Sequence, residues 1–214
     1  MEFQRARSPE HKQQRYDAIV AAARELASRH GVRGVSLTDI AAEVGMHKSA
    51  LLRYFTTRDE IYLRIAVEDW ADASHAIRQA LADAPTGSIE AVADAFASAL
   101  AVRPLFCDLL AHVPLNLERT VPLESVREYK QAVMPAVEEM LGYVRAVLPD
   151  LSDVDLLDLT LTTSAVAAAL HQQAYPPPTL AQLYREHPEL GHFDLEFAPT
   201  LRRIVETYLR GLRG

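Results

Sequence analysis

Apolar residues recur at intervals of three and four along almost the whole chain, and runs that alternate polar with apolar are nearly absent. That period puts one apolar stripe on a helix and leaves a sheet no face to bury, so the expected fold class is all-α. Tyr16, Ile19, Ala23, Leu26 and His30 follow helical spacing, with Gly31 and Gly34 placed to end the helix. Ser36-Leu37-Thr38-Asp39 has the form of a capping box opening a second helix that ends at Gly45, and a third, short helix is expected from His47 to Phe55. Thr57, with Asp59 and Glu60 in the first turn, starts a long fourth helix through Leu63, Val67, Trp70, Ser74, Ile77 and Leu81.

Beyond this point prolines punctuate the chain. Ser88 is placed to cap a helix holding Ile89, Val92, Phe96 and Leu100; Arg103-Pro104 opens a short one through Leu110, and Val121-Pro122 a longer one to Val147. Pro135 lies inside that last helix and predicts a kink or break. Ser152 to Asp155 is another capping box, before a helix of small residues to about Tyr175. Thr179 to Gln182 repeats the signature, and Leu201, Ile204, Val205, Tyr208 and Leu212 form the stripe of a final helix.

Charge divides the chain in two. Of 214 residues with net charge −7, residues 1 to 64 carry 11 basic and 8 acidic side chains, and the remainder 11 basic and 21 acidic. The first part is thus net +3 and the second net −10, which suggests two tasks, only one of them compatible with a polyanion. A single Cys107 excludes an intramolecular disulfide. The first residues lack the apolar core of a secretory signal, and the longest uncharged stretch, Leu159 to Tyr184, is interrupted by His171, two glutamines and three prolines. A cytoplasmic protein with no membrane partner is the expectation. No phosphate loop, nucleophile elbow or paired metal ligands occur; the spacing of Cys107, His112, His171, His187 and His192 suits no metal, and no cofactor and no enzymatic activity are expected.

The segment Gly34 to Tyr62 carries the most information. Ile40, Ala41 and Val44 on one short helix are spaced to pack on Leu51 and Phe55 of the next, which turns Lys48, Ser49, Leu52 and Arg53 outward: a helix-turn-helix whose second helix is too short and too polar outside to be explained by packing alone. The segment resembles the DNA-binding domain of the TetR family of transcriptional regulators: Gly34, Ser36, Asp39, Ile40, Ala41, Gly45, Leu51, Tyr54, Phe55, Arg58 and Asp59 match the family pattern or replace it conservatively, without gaps.

The resemblance implies an N-terminal three-helix DNA-binding domain, residues 1–57, and a larger helical ligand-binding and dimerisation domain, residues 58–214. It implies that Ser36, Tyr54 and Arg58 hold phosphates and that His47, Lys48, Ser49 and Arg53 lie on the recognition helix, with Lys48 and Arg53 suited to guanine acceptors. His47, Ser49 and Leu52 depart from the family pattern, and Leu52 cannot bond a phosphate. Arg5, Arg7, Lys12 and Arg15 are candidates for further phosphate contacts.

For the acidic part the resemblance implies a homodimer, double-stranded operator DNA as partner, repression as the activity, and a small-molecule effector. Thr162, Thr163, Ala165, Ala168 and Ala169, with the Leu201 to Leu212 stripe, are the expected interface. The expected pocket draws on Trp70, Phe96, Phe106, Leu110, His112 and Tyr129, and on Val133, Val137, Met140, Val166, Leu170 and His171. The competing reading is a helical small-molecule-binding protein whose N-terminal hairpin docks a protein partner.

Overall fold

In the computed structural model, which describes residues 9–191 and 195–213, all regular structure is helical and no strand occurs among the described residues. Arg5, Arg7 and His192 lie outside the described residues. Helix α1 spans Pro9–His30, beginning earlier than the apolar spacing indicated. Gly31 ends it with φ +73° and ψ 157°, a conformation essentially reserved for glycine. A single 3-10 turn, Val32–Gly34, leads to α2, Leu37–Glu43. The capping box is formed: Ser36 Oγ accepts from the Asp39 N–H at 3.2 Å, and the Asp39 carboxylate accepts from the Ser36 N–H at 2.8 Å. Helix α3, Lys48–Leu51, is shorter than the expected His47 to Phe55, because after Leu51 the backbone continues as tight turns.

Helix α4, Arg58–Leu81, is capped by Thr57, which accepts from the Glu60 N–H at 3.1 Å. Ser88 caps α5, Ile89–Ala101, in the same way. Helix α6, Pro104–His112, widens into one π turn, Val113–Leu117, where Pro114 has no N–H to continue an α-helix, before a three-residue α7, Glu118–Thr120. Helix α8, Leu123–Val147, runs through Pro135 without the break that residue suggested: Pro135 faces solvent, and α8 packs lengthwise on α4. Helix α9, Asp153–Ala174, opens on the Ser152 capping box. Helix α10, Pro178–Glu186, starts at a first-turn proline with Pro177 as cap, so Thr179 is not the cap. Helix α11 is Phe197–Arg213.

Two apolar clusters meet along α4. The distal one joins Ala73, Ile77 and Leu81 of α4 to α5, α6, the end of α8, α9 and α11. The proximal one holds Ile19, Ile40 and Leu51 of the first three helices and Phe55 after them, together with Ile61, Tyr62 and Ile65 of α4, and it is completed by Leu105, Leu109, Val113, Leu117, Tyr129 and Val133 from the rest of the chain. Trp70 and Val137 are packed against both. Arg24 of α1 ties this region further to α4, reaching Asp69 at 2.5 Å and Glu68 at 3.0 Å.

The expected dimer stripe sorts differently from its sequence pattern. Leu201, Val205 and Leu209 of α11 are buried within the protomer against α5 and α9, Ile204, Tyr208 and Leu212 are half-buried, and Thr163 and Ala168 of α9 face inward. What α9 presents to solvent is Val154, Leu157 and Leu161, 65%, 55% and 58% exposed, followed at helical spacing by exposed Ala165 and Ala169.

Candidate nucleic-acid interface and core cavity

The turn between α2 and α3 is fixed by backbone chemistry. Gly45 at φ +67° lets the Met46 N–H bond the Ala41 carbonyl at 2.8 Å while its own N–H bonds Ala42 at 3.0 Å, a Schellman closure. Ile40, Ala41, Leu51 and Phe55 are buried at the joint, Val44 is half-buried, and Phe55 stacks on Tyr16 of α1 with ring centroids 4.7 Å apart. This packing holds the other face of α3 outward: Lys48, Ser49 and Arg53 are exposed, as is Leu52 at 44%. Among the described residues the Lys48 and Arg53 side chains have no hydrogen-bond or ion-pair partner, which leaves two cations free on a rigid support.

The remaining candidates have partners of their own. His47 is the N-cap of α3: its Nδ1 accepts from the Ser49 N–H at 3.5 Å and lies 3.0 Å from Ser49 Oγ. His47, which departs from the family pattern, thus serves as an imidazole cap, a role that its sequence position alone did not suggest. Ser36 Oγ donates to Asp39 at 2.6 Å, and the hydrogen bonds from Ser36 hold the Asp39 carboxyl below its ordinary value. Tyr54 is half-buried and lines a groove of about 490 Å³ with Tyr16, Phe55, Glu60, Arg64 and Tyr129.

Arg58 is turned into the protein. Its guanidinium donates to the Val35 carbonyl at 2.9 Å, the Val32 carbonyl at 3.4 Å and Asp59 at 2.9 Å. These bonds tie the α1–α2 connection to the start of α4 and occupy donors that the resemblance allotted to phosphate. Glu60 continues the lattice, accepting from the Thr56 N–H at 2.7 Å and from Ser125 Oγ of α8 at 3.0 Å. Burial alone would raise its carboxyl, but the bonds from Thr56, Ser125 and Thr57 outweigh burial and hold it below its ordinary value.

One residue links the α1–α2 connection to α9. Asp108 of α6, 9% exposed, accepts from the Val32 N–H beside Gly31 at 2.8 Å and from Gln172 Nε2 of α9 at 2.8 Å, with His112 Nε2 at 3.3 Å. Burial would raise its carboxyl; the His112, Val32 and Gln172 contacts together hold it below the ordinary value. The Gly31 backbone serves this contact by aiming the next N–H at Asp108. Gly31→Ala is therefore expected to lower the unfolding free energy by about 2 kcal/mol through its dihedral angles alone, whereas Gly142→Ala, at an open site on α8, is expected to be neutral or mildly stabilising. Thermal unfolding of the two variants checks the contrast.

The adjacent residues of α6, Phe106 and Leu110, face a different space. They line a small core cavity with Trp70, Phe96 and Met140, whose free space of about 10 Å³ is room for about one water. Trp70 and Phe106 meet edge to face at 5.2 Å. These five are the expected pocket residues that the structure brings together; Ala73, Ile77, Leu100, Thr160, Thr163 and Ser164 complete the lining.

The other seven lie elsewhere. Tyr129 faces the groove beside Tyr54, Val133 packs into the proximal cluster, and Val137 packs against both clusters outside the lining. Val166 and Leu170 belong to the distal cluster away from the lining, because the turn of α9 that meets the cavity is the one bearing Thr160 and Thr163. His112 pairs with Asp108, and His171 packs between Tyr175 and Phe197. Cys107 is fully buried; burial pushes its thiol up to about 12, so it offers no nucleophile at neutral pH. No cluster of potential metal ligands occurs among the described residues, and none of their helices is singly long and apolar enough to cross a membrane.

Comparison with known proteins agrees with this architecture. Residues 19–65 match the sequence model described as bacterial regulatory proteins, tetR family, and residues 67–214 match the one described as tetracyclin repressor-like, C-terminal domain. No curated protein matches the chain by sequence. Among solved structures it is similar to a TetR-family transcriptional regulator from Streptomyces coelicolor, with 17% identity, 92% of this chain and 98% of that one covered, and a TM-score of 0.56. It is also similar to the fatty acid degradation regulator FadR from Bacillus halodurans, with 14% identity, 98% and 99% covered, and a TM-score of 0.53. A third is Thermus thermophilus FadR, a TetR-family repressor in complex with lauroyl-CoA, with 18% identity, 92% and 93% covered, and a TM-score of 0.53. At such identities the structures attest the shared fold. The sequence matches go further, and from them, over both the helix-turn-helix and the larger helical part, the chain belongs to the TetR family of bacterial regulatory proteins.

Proposed function

We propose that this TetR-family regulator is a cytoplasmic, homodimeric repressor whose residues 1–57 bind a palindromic operator and whose residues 58–214 receive a small apolar effector and form the dimer. The observation that carries the DNA reading is the pair Lys48 and Arg53, exposed and unengaged on a helix whose inner face is locked by Leu51 and Phe55. In a major groove these two reach guanine acceptors, with Ser49 between them, while the Ser36 and Tyr54 hydroxyls serve nearby phosphates. His47 acts by capping α3, and Arg58 by positioning it. The uncovered apolar face of α9, from Val154 to Ala169, is the surface through which two copies pair.

Effector response follows from α6, which meets both regions. Its Phe106 and Leu110 line the cavity while its Asp108 holds the Val32 N–H. An effector too large for the contracted cavity displaces α6, shifts the corner between α1 and α2, and favours a state whose recognition helices no longer match successive grooves.

The test is a mobility-shift titration of the purified protein on DNA flanking its own gene. Sequence-specific binding is expected, with an affinity that falls about a thousandfold or more between roughly 50 and 200 mM salt if the dimer contacts about six phosphates. Absence of specific binding, or a response flat in salt, defeats the DNA reading and favours a protein partner.

A further inference from the structure

The lining of the cavity defines the chemistry of its occupant, a step that rests on reading the C-terminal part as effector-binding. Among the described residues, no Asp, Glu, Lys, Arg or His lines the space. A carboxylate or ammonium entering it would be stripped of water with no opposite charge to meet it. Apart from the Trp70 indole, whose N–H is engaged by Tyr129, the polar side chains of the lining are three hydroxyls of α9: Thr160, and Thr163 and Ser164 one turn on. Thr160 is occupied, donating to the Leu156 carbonyl at 3.0 Å. Thr163 is 2% exposed, and its Oγ1 has no hydrogen-bond partner, although a helical threonine has a carbonyl one turn back within reach, as Thr160 shows. A buried hydroxyl left unmatched among aromatic walls is an unmet demand at a fixed point.

We propose that the cavity takes an uncharged, largely apolar molecule bearing one hydrogen-bonding oxygen, such as a ketone, ester or alcohol, and that Thr163 Oγ1 bonds that oxygen. The apolar remainder lies along Trp70, Phe106 and Met140. Met140 is the adaptable wall, since its thioether side chain re-packs readily, and the Trp70–Phe106 pair is the part that must open. Thr163 sets specificity, while Phe106 couples occupancy to α6.

Trp70 is the sole tryptophan and lines the cavity, so its emission reports entry directly. The probes are 2-decanone, 1-decanol and decanoate, at a pH where decanoate is fully ionised. With the full chain, saturable changes in emission are expected for the ketone and the alcohol, and binding at least tenfold weaker for decanoate. Thr163→Val keeps shape and removes a hydroxyl that bonds nothing in the protein. It is expected to lower ketone affinity about fivefold without lowering the unfolding temperature, and Thr163→Ser to retain most of the affinity. Equal binding of decanoate and ketone, unaltered ketone binding by Thr163→Val, or no saturable response to the ketone overturns the proposal. The mobility shift without probe keeps the two readings apart: a protein that binds its flanking DNA but ignores the ketone loses this proposal alone, and one that binds the ketone but no DNA loses the regulator reading alone.

Discussion

Asp108→Ala is expected to lower the unfolding free energy by about 3 kcal/mol, the size associated with losing hydrogen bonds to a buried charged group while stranding their donors. The Val32 N–H would be left without its acceptor, and the Gln172 amide and His112 ring would lose theirs. For a chain of this length the change corresponds to roughly 10 °C in unfolding temperature. Asp108→Asn, which keeps one acceptor oxygen, is expected to fall between. The sign of the pH effect follows from the depressed carboxyl. Its contribution is present above the unfolded-state pKa and is lost as pH falls through the lower folded-state value. Wild type should therefore lose stability in acid more steeply than Asp108→Ala, and the two should converge below the ordinary carboxylate range. Thermal unfolding at stepped pH checks both, and a variant as stable as wild type at neutral pH would remove Asp108 from the link between the α1–α2 connection and α9.

Lys48→Ala combined with Arg53→Ala is expected to reduce operator affinity by a thousandfold or more. Each cation lost from a base edge costs about 1–3 kcal/mol, and a symmetric dimer loses it in both half-sites. Stability should hardly change, because both side chains are exposed and neither makes a hydrogen bond or ion pair with another described residue, and surface substitutions of this kind usually stay within about 0.5 kcal/mol. Loss of binding with an unaltered melting curve is thus the expected signature. Arg58→Ala should give the opposite pattern, since it leaves the Val32 and Val35 carbonyls without their donor and loosens the helix-turn-helix seat on α4.

How much of this was legible depended on the distance over which each contact acts. The caps at Ser36, Thr57, Ser88 and Ser152 close on residues three positions on, and a helix start can be read from such spacing. The outward face of α3 was legible because burying Leu51 and Phe55 leaves Lys48 and Arg53 nowhere else to point. The turn of Arg58 toward the Val32 and Val35 carbonyls was not, since these lie more than twenty residues away and nothing local distinguishes a phosphate ligand from a brace. Asp108 did leave a trace: it is a lone acid inside Pro104 to Leu110, with His112 four positions on, a pattern that asks what neutralises it. The cavity lining on α9 was hidden because that helix carries small or apolar residues nearly all round, so its period does not say which face turns toward α6.

The proximal cluster has a consequence for anyone wishing to re-engineer this regulator. A helix-turn-helix cut at residue 57 would take Ile40, Leu51 and Phe55 with it but leave behind Ile61, Tyr62 and Ile65 of α4 and Leu105, Leu109, Val113, Leu117, Tyr129 and Val133, which close the same core. Such a fragment would expose roughly half of a hydrophobic interior and fold poorly, if at all. The DNA-reading head is therefore no interchangeable cartridge. A chimera with new operator specificity must either graft only the outward residues of α3, or transplant the start of α4, α6 with its π turn, and the first half of α8 along with the head.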